Sequence, residues 1–138
     1  MLGRLDHVGY LVSDLAAAEA AFVETLGQPV VQRFERPVFS LFGTYLGEAG
    51  ELELFTFTDH DLLASRLGDE HVRLDHIAYE THDIATTAAS MAARGVRFTG
   101  ADRREEVTEP FDFDGVLNLW TVPETAGGAA LQILERPH

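Results

Sequence analysis

Apolar and polar positions alternate over residues 5–12 in a way that predicts a strand with both faces covered. Leu5, His7, Gly9 and Leu11 fall on one side, and Asp6, Val8, Tyr10 and Val12 on the other. From Asp14 the period lengthens to that of a helix over residues 15–26. Asp14 is its cap, Leu15, Ala18, Phe22 and Leu26 form its apolar stripe, and Gly27 ends it. Residues 28–36 and 38–46 return to strand pattern on either side of Pro37. A turn at Gly47 to Gly50 then leads into residues 51–57, the clearest strand of the chain. Residues 59–68 predict a short linking helix that buries Leu62, Leu63 and Leu67.

The pattern then starts again. Leu74-Asp75-His76-Ile77-Ala78-Tyr79-Glu80-Thr81-His82-Asp83-Ile84 repeats Leu5-Asp6-His7-Val8-Gly9-Tyr10-Leu11-Val12-Ser13-Asp14-Leu15 at an offset of 69 residues, half the chain. A strand over 74–80, a helix over 84–94 capped by Asp83 and closed by Gly95, and strands over 96–99, 115–122 and 129–135 follow. Residues 100–110 form a charged connection, partly strand, and residues 123–128 a turn. A repeat at half the chain length means two copies of one supersecondary unit rather than a solenoid. The predicted fold is therefore α+β: two tandem βαβββ modules, residues 1–68 with the linking helix and residues 69–138, in one structural domain. Such modules form a cupped mixed sheet with helices outside, and inward side chains from several strands converge in the cup.

The composition sets limits without changing this picture. The chain has 138 residues, long enough to fold alone, and 46% of them are hydrophobic, as in an ordinary globule. No apolar run approaches the ~20 residues that cross a bilayer, and the N-terminus carries no signal-peptide pattern. There is no cysteine, hence no disulfide framework and no thiolate chemistry, which makes the cytoplasm the expected compartment. The net charge of −13 argues against a nucleic-acid partner and reads as solubility. Only Arg103-Arg104 and Arg33 with Arg36 make basic clusters.

Counting by twos places His7 and His76 at equivalent points of equivalent strands, so that a pseudo-twofold axis would bring them together. Glu53 shares its face with Glu51, Phe55 and Phe57, and Gln132 shares its face with Ala130 and Leu134. Two imidazoles, one carboxylate and one carboxamide from four strands suit a divalent metal such as Zn, Co, Ni, Mn or Fe, with positions left for water or substrate. A carboxylate between Leu52 and Leu54 is costly to bury without a cation. Phe39, Tyr45, Phe55, Phe57, Phe111, Phe113 and Trp120 form an aromatic group divided between core and pocket lining. Phe111 and Phe113 lie in a charged loop that reads equally as a lid or as core. His60, His71 and His138 read as loop or tail residues, and His82 as part of a helix start.

The two Leu-Asp-His openings, Glu51-Leu52-Glu53-Leu54-Phe55-Thr56-Phe57 and the ending Gly127-Gly128-Ala129-Ala130-Leu131-Gln132-Ile133-Leu134-Glu135-Arg136-Pro137 resemble the vicinal oxygen chelate superfamily. That superfamily holds glyoxalase I, methylmalonyl-CoA epimerase, extradiol dioxygenases, fosfomycin-resistance enzymes and bleomycin-binding proteins, and the resemblance is nearest to its epimerase and glyoxalase branch. The family's metal ligands then fall on His7, Glu53, His76 and Gln132. Gln132 departs from the glutamate usual at the last of these positions: a carboxamide can coordinate through oxygen but cannot accept a proton. This branch implies proton abstraction next to a carbonyl with the metal as Lewis acid. Glu53 is the first candidate base, followed by Glu80 on the inward face of the His76 strand, then Glu51 and Glu35. The expected protein is a metal-dependent isomerase, epimerase or lyase acting on a small molecule with an apolar or aromatic part. The alternatives are an Fe(II) extradiol-type dioxygenase and a protein that sequesters a small molecule. A homodimer is the expected assembly, covering sheet edges.

Overall fold

The structure, a computed structural model, describes residues 2–138. Among these, ten strands form a mixed sheet accompanied by three helices. The strands and helices fall into two compact units: residues 7–75, and residues 2–6 together with 76–138. Both boundaries lie between a repeated aspartate and its repeated histidine.

In the first unit, strand β1 (Leu5–Val12) leads into helix α1 (Leu15–Ala20). Asp14 caps that helix, accepting from the Ala17 N–H at 3.0 Å. The helix continues as a π-turn over Ala21–Thr25, with Leu26 N–H reaching back to Ala21 O, and Gly27 ends it at φ 68°. Strands β2 (Val30–Arg36), β3 (Leu41–Leu46) and β4 (Leu52–Phe57) follow. Their order is β2-β3-β4-β1, with β4 parallel to β1 and the other pairs antiparallel. Leu15, Ala18 and Phe22 pack on buried Val12, Leu46 and Leu54. Leu26, expected on the same stripe, is exposed instead, because the wider π-turn rotates the helix face past it. Helix α2 (His60–Leu67), capped by Asp59, covers Leu11, Phe34, Phe55 and Phe57 with Leu62, Leu63 and Leu67. Strand β3 begins three residues later than its pattern predicts. Pro37–Phe39 form a 3₁₀ turn, and Ser40 takes a left-handed conformation before the strand can start.

The second unit repeats the plan. Strand β5 (Val72–Glu80) precedes helix α3 (Ile84–Ala92), which Asp83 caps through the Thr86 N–H at 3.0 Å. Two short strands, β6 (Phe98–Thr99) and β7 (Glu106–Val107), pair with each other. Strand β8 (Phe111–Phe113), β9 (Val116–Thr121) and β10 (Leu131–Glu135) complete the order β5-β10-β9-β6-β7, with β8 on β9. Ile84, Ala88 and Met91 of α3 bury Phe98, Leu119 and Ile133. That burial leaves the opposite face of β9 and β10, the one carrying Asn118, Trp120 and Gln132, away from the helix. Segment 111–113, read from sequence as loop, is a strand: Phe111 lies opposite Asn118 and Phe113 opposite Val116, closed by a turn at Asp114 and Gly115. Two aromatics flanking one aspartate alternate as a two-faced strand requires, and the charged neighbours had hidden that pattern.

Candidate metal centre

Cross-strand partners share a face, so register alone assembles the site in each unit. In the first, Glu53 on β4 stands opposite Gly9 on β1 and Tyr45 on β3. His7 follows two positions from Gly9 on the same face of β1. Gly9 contributes no side chain, which leaves room between the carboxylate and the imidazole. His7 and Glu53 are buried, and the His7 ring meets Tyr45 edge-on at 5.8 Å. Tyr45 in turn leans on Phe34, ring centroids 4.8 Å apart.

In the second unit, His76 is buried on β5, and Ala78, next on its face, stands opposite Gln132. Gln132 stands opposite Trp120 and Trp120 opposite Thr99. A single row thus crosses four strands on the face that carries His76. The amide of Gln132 is oriented by a chain of bonds. Asn118 Nδ2 donates to Val116 O at 2.9 Å, so its Oδ1 is the arm that accepts from Gln132 Nε2 at 2.8 Å. Gln132 Oε1 is therefore the arm directed away from Asn118, an acceptor of the kind a cation takes. Arg103 reaches the same place from the loop after β6. One of its amino groups lies 3.5 Å from His76 Nδ1, and its guanidinium lies over Trp120, 5.6 Å from the ring centre. Trp120 stacks on Phe111 at 5.6 Å and 11°.

His7 and Glu53 each offer one ligand atom, and these two atoms lie within 4.8 Å of each other. His7, Glu53 and His76 are each buried, and a buried carboxylate beside an imidazole is a donor pair that a divalent ion satisfies. The residues present therefore fit the ion that the sequence implies.

The other residues singled out from sequence take up varied places. Glu80 lies four residues beyond His76, bonded to Arg4 at 3.0 Å and to Arg136 at 3.1 Å. It borders a cavity of about 200 Å³ with Gly3, Arg4, Thr81, His82, Arg136, Pro137 and His138. Asp6 claims the same arginine, and hydrogen bonding to that carboxylate raises the Arg136 pKa. Phe55 is core, packed with Leu11, Phe34, Phe57 and Leu67. Phe39 is half-buried in the turn before β3, and Phe113 is half-buried on β8. Glu51 accepts from the Ala49 N–H at 2.8 Å, and backbone N–H groups of its turn hold its pKa below the usual carboxylate range. His71 pairs with Ser13, and His138 lies beside Glu135 and His82. Sequence reading missed Arg103, Asn118 and Thr99. Arg103 stood in a recognised basic pair, but the left-handed turn that swings it inward (φ 60°) leaves no sequence signal in a non-glycine residue.

Residues 6–112 match the Glyoxalase/Bleomycin resistance protein/Dioxygenase superfamily. No curated protein matches the chain. Among solved structures it resembles methylmalonyl-CoA epimerase from Mycobacterium tuberculosis, with a TM-score of 0.82 at 20% identity over 99% of this chain and 90% of that one. A Streptomyces coelicolor methylmalonyl-CoA epimerase variant in complex with 2-nitronate-propionyl-CoA gives 0.81 at 22% over all of both chains. A hypothetical protein of Bacillus halodurans C-125 gives 0.79 at 19% over 98% and 95%. With the match spanning most of its length and the duplicated βαβββ fold in place, the chain belongs to the glyoxalase/bleomycin resistance protein/dioxygenase superfamily.

Proposed function

We propose that this protein is a metal-dependent epimerase, isomerase or lyase that removes a proton next to a carbonyl of a small molecule. The observation that carries this reading is the buried pair of His7 and Glu53, whose donor atoms lie within 4.8 Å of each other, with His76 buried at the equivalent place of the repeat. The two imidazoles and the carboxylate would hold Zn, Co, Ni, Mn or Fe, with Gln132 Oε1 as a further oxygen donor. The ion supplies Lewis-acid polarisation of the carbonyl, without which an ordinary carbon acid is too weak for a carboxylate near neutrality.

The residues then divide the work. His7 and His76 would hold the ion through their ring nitrogens. Gln132 is held by Asn118 and cannot take a proton. Glu80 is engaged by Arg4 and Arg136. Glu53 is therefore the base in this reading, a buried carboxylate that would swing off the ion to take the proton. Tyr45 provides aromatic surface on the Glu53 face, and Phe111 stacked on Trp120 does so on the His76 face, in keeping with a substrate that has an apolar or aromatic part. One structural neighbour is a methylmalonyl-CoA epimerase in complex with methylmalonyl-CoA and NH4+, 22% identical with a TM-score of 0.81. Methylmalonyl-CoA is accordingly the first substrate to test.

Anaerobic purification with elemental analysis, followed by incubation with methylmalonyl-CoA in D2O, tests the proposal. The expected outcome is one Zn, Co, Ni or Mn per chain and deuterium wash-in at the carbon between the carbonyls. His7→Ala and Glu53→Gln should lower metal affinity roughly tenfold or more, since even outer-shell changes cost that much. Iron with oxygen uptake would favour the dioxygenase reading, and a fully metallated His7→Ala variant would overturn the assignment.

A further inference from the structure

Arg103 is a charged residue whose place the proton-transfer chemistry does not explain. A hydrogen bond from Arg103 N–H to Gly100 O closes a tight turn, and Asp102 bonds the next N–H. The turn holds Arg103 at φ 60°, a left-handed conformation that is strained for a non-glycine residue. The turn aims the guanidinium inward, over Trp120 and within 3.5 Å of His76 Nδ1. A permanent cation is thereby placed beside a residue that would hold a second cation.

The same face carries two polar hydrogens with no hydrogen-bond partner among the described residues. They are the buried indole N–H of Trp120 and the buried hydroxyl of Thr99, which stand opposite each other on β9 and β6. Buried donors without partners are rare enough to call for an explanation. A ligand oxyanion would explain all three features. It would draw on the guanidinium fork, on the indole N–H and on the hydroxyl, and it would separate the guanidinium from the ion.

We propose that Arg103, Trp120 and Thr99 form an oxyanion-recognising wall beside His76, which selects substrates carrying a carboxylate next to the carbonyl that meets the metal. This rests on the proposed metal chemistry for the identity of the carbonyl, but not for the binding of the anion. Trp120 is the only tryptophan in the chain, so its fluorescence reports on this wall directly.

The test titrates malonate, with uncharged malonamide as control, into metal-free and Zn-loaded protein while following Trp120 emission. Equilibrium dialysis measures bound Zn in the same samples. Wild type should give a saturable response to malonate and none to malonamide. Arg103→Ala should weaken the response roughly 10- to 100-fold, the range for a charge-assisted hydrogen bond. Arg103→Met keeps an apolar stem against Trp120 without the charge and should behave like the alanine variant, whereas Arg103→Lys should fall between it and wild type. An Arg103→Met protein that binds malonate as tightly as wild type overturns the inference, as does a wild type that fails to respond in either metal state. Loss of Zn binding with the malonate response intact would sink the metal reading and leave the anion wall standing.

Discussion

Asp6 and Asp75 stand one position before the two candidate ligands, on the opposite strand face, and an arginine clasps each of them. Arg136 binds Asp6 with both amino groups, and Arg66 binds Asp75. Both carboxylates are almost entirely covered, with side-chain exposures of 9% and 8%. Each pair lies within one compact unit: residue 6 and its arginine in one, residue 75 and its arginine in the other. These pairs anchor the strands on which His7 and His76 sit. Removing one partner leaves a covered charge uncompensated, so Asp75→Ala should cost about 2 kcal/mol, reduced from the fully buried case because Arg66 is partly exposed. Urea unfolding measures that loss, and metal content at saturating Zn should be unchanged. The repeat made the two aspartates legible in the sequence. Their partners were not, since Arg136 lies 130 residues from Asp6.

At the scale of elements, Glu19 ties helix α1 to the sheet. Its carboxylate accepts from Arg33 on β2 and, at 2.7 Å, from Thr44 on β3. The hydrogen bond from Arg33, followed by that from Thr44, holds its pKa below the usual carboxylate range. A carboxylate with a lowered folded pKa stabilises fully above its unfolded value and loses that contribution as the pH falls through the folded one. Glu19→Gln should therefore lower Tm by roughly 2 °C at pH 7, a surface pair being weak. The gap to wild type should close progressively below about pH 4. A gap that persists at low pH would show that the carboxylate's charge is not the cause. Element types were readable because hydrophobic period is local: both βαβββ runs, both aspartate caps and the linking helix stand where the pattern puts them. The exceptions are the π-turn that displaces Leu26 and strand β8. The first depends on what the segment packs against, and the second on an alternation too short to stand out among its charged neighbours.

For the whole molecule, the candidate centre links metal loading to folding. An ion that binds only the folded chain stabilises it by about 2.7 kcal/mol at a concentration of 100 Kd. Thermal unfolding with and without Zn should therefore show a Tm rise of roughly 5 °C or more in wild type. His76→Ala should show little or none, and an equal rise in that variant would place the ion elsewhere. No helix among the described residues is long and apolar enough to cross a membrane.

What the sequence determined by itself was the duplicated α+β plan and the face of its own strand on which each candidate residue falls, because alternation, capping and internal repetition are encoded within a few positions of one another. The strand positions of His7, Glu53, His76 and Gln132 were read in this way. Only the tertiary structure decided how they are used. Asn118 orients the Gln132 amide, Arg4 and Arg136 occupy Glu80, and a left-handed turn brings Arg103 over Trp120. Each of these depends on contacts between residues distant in the chain, and pairing at that range leaves no periodic trace in the order of residues.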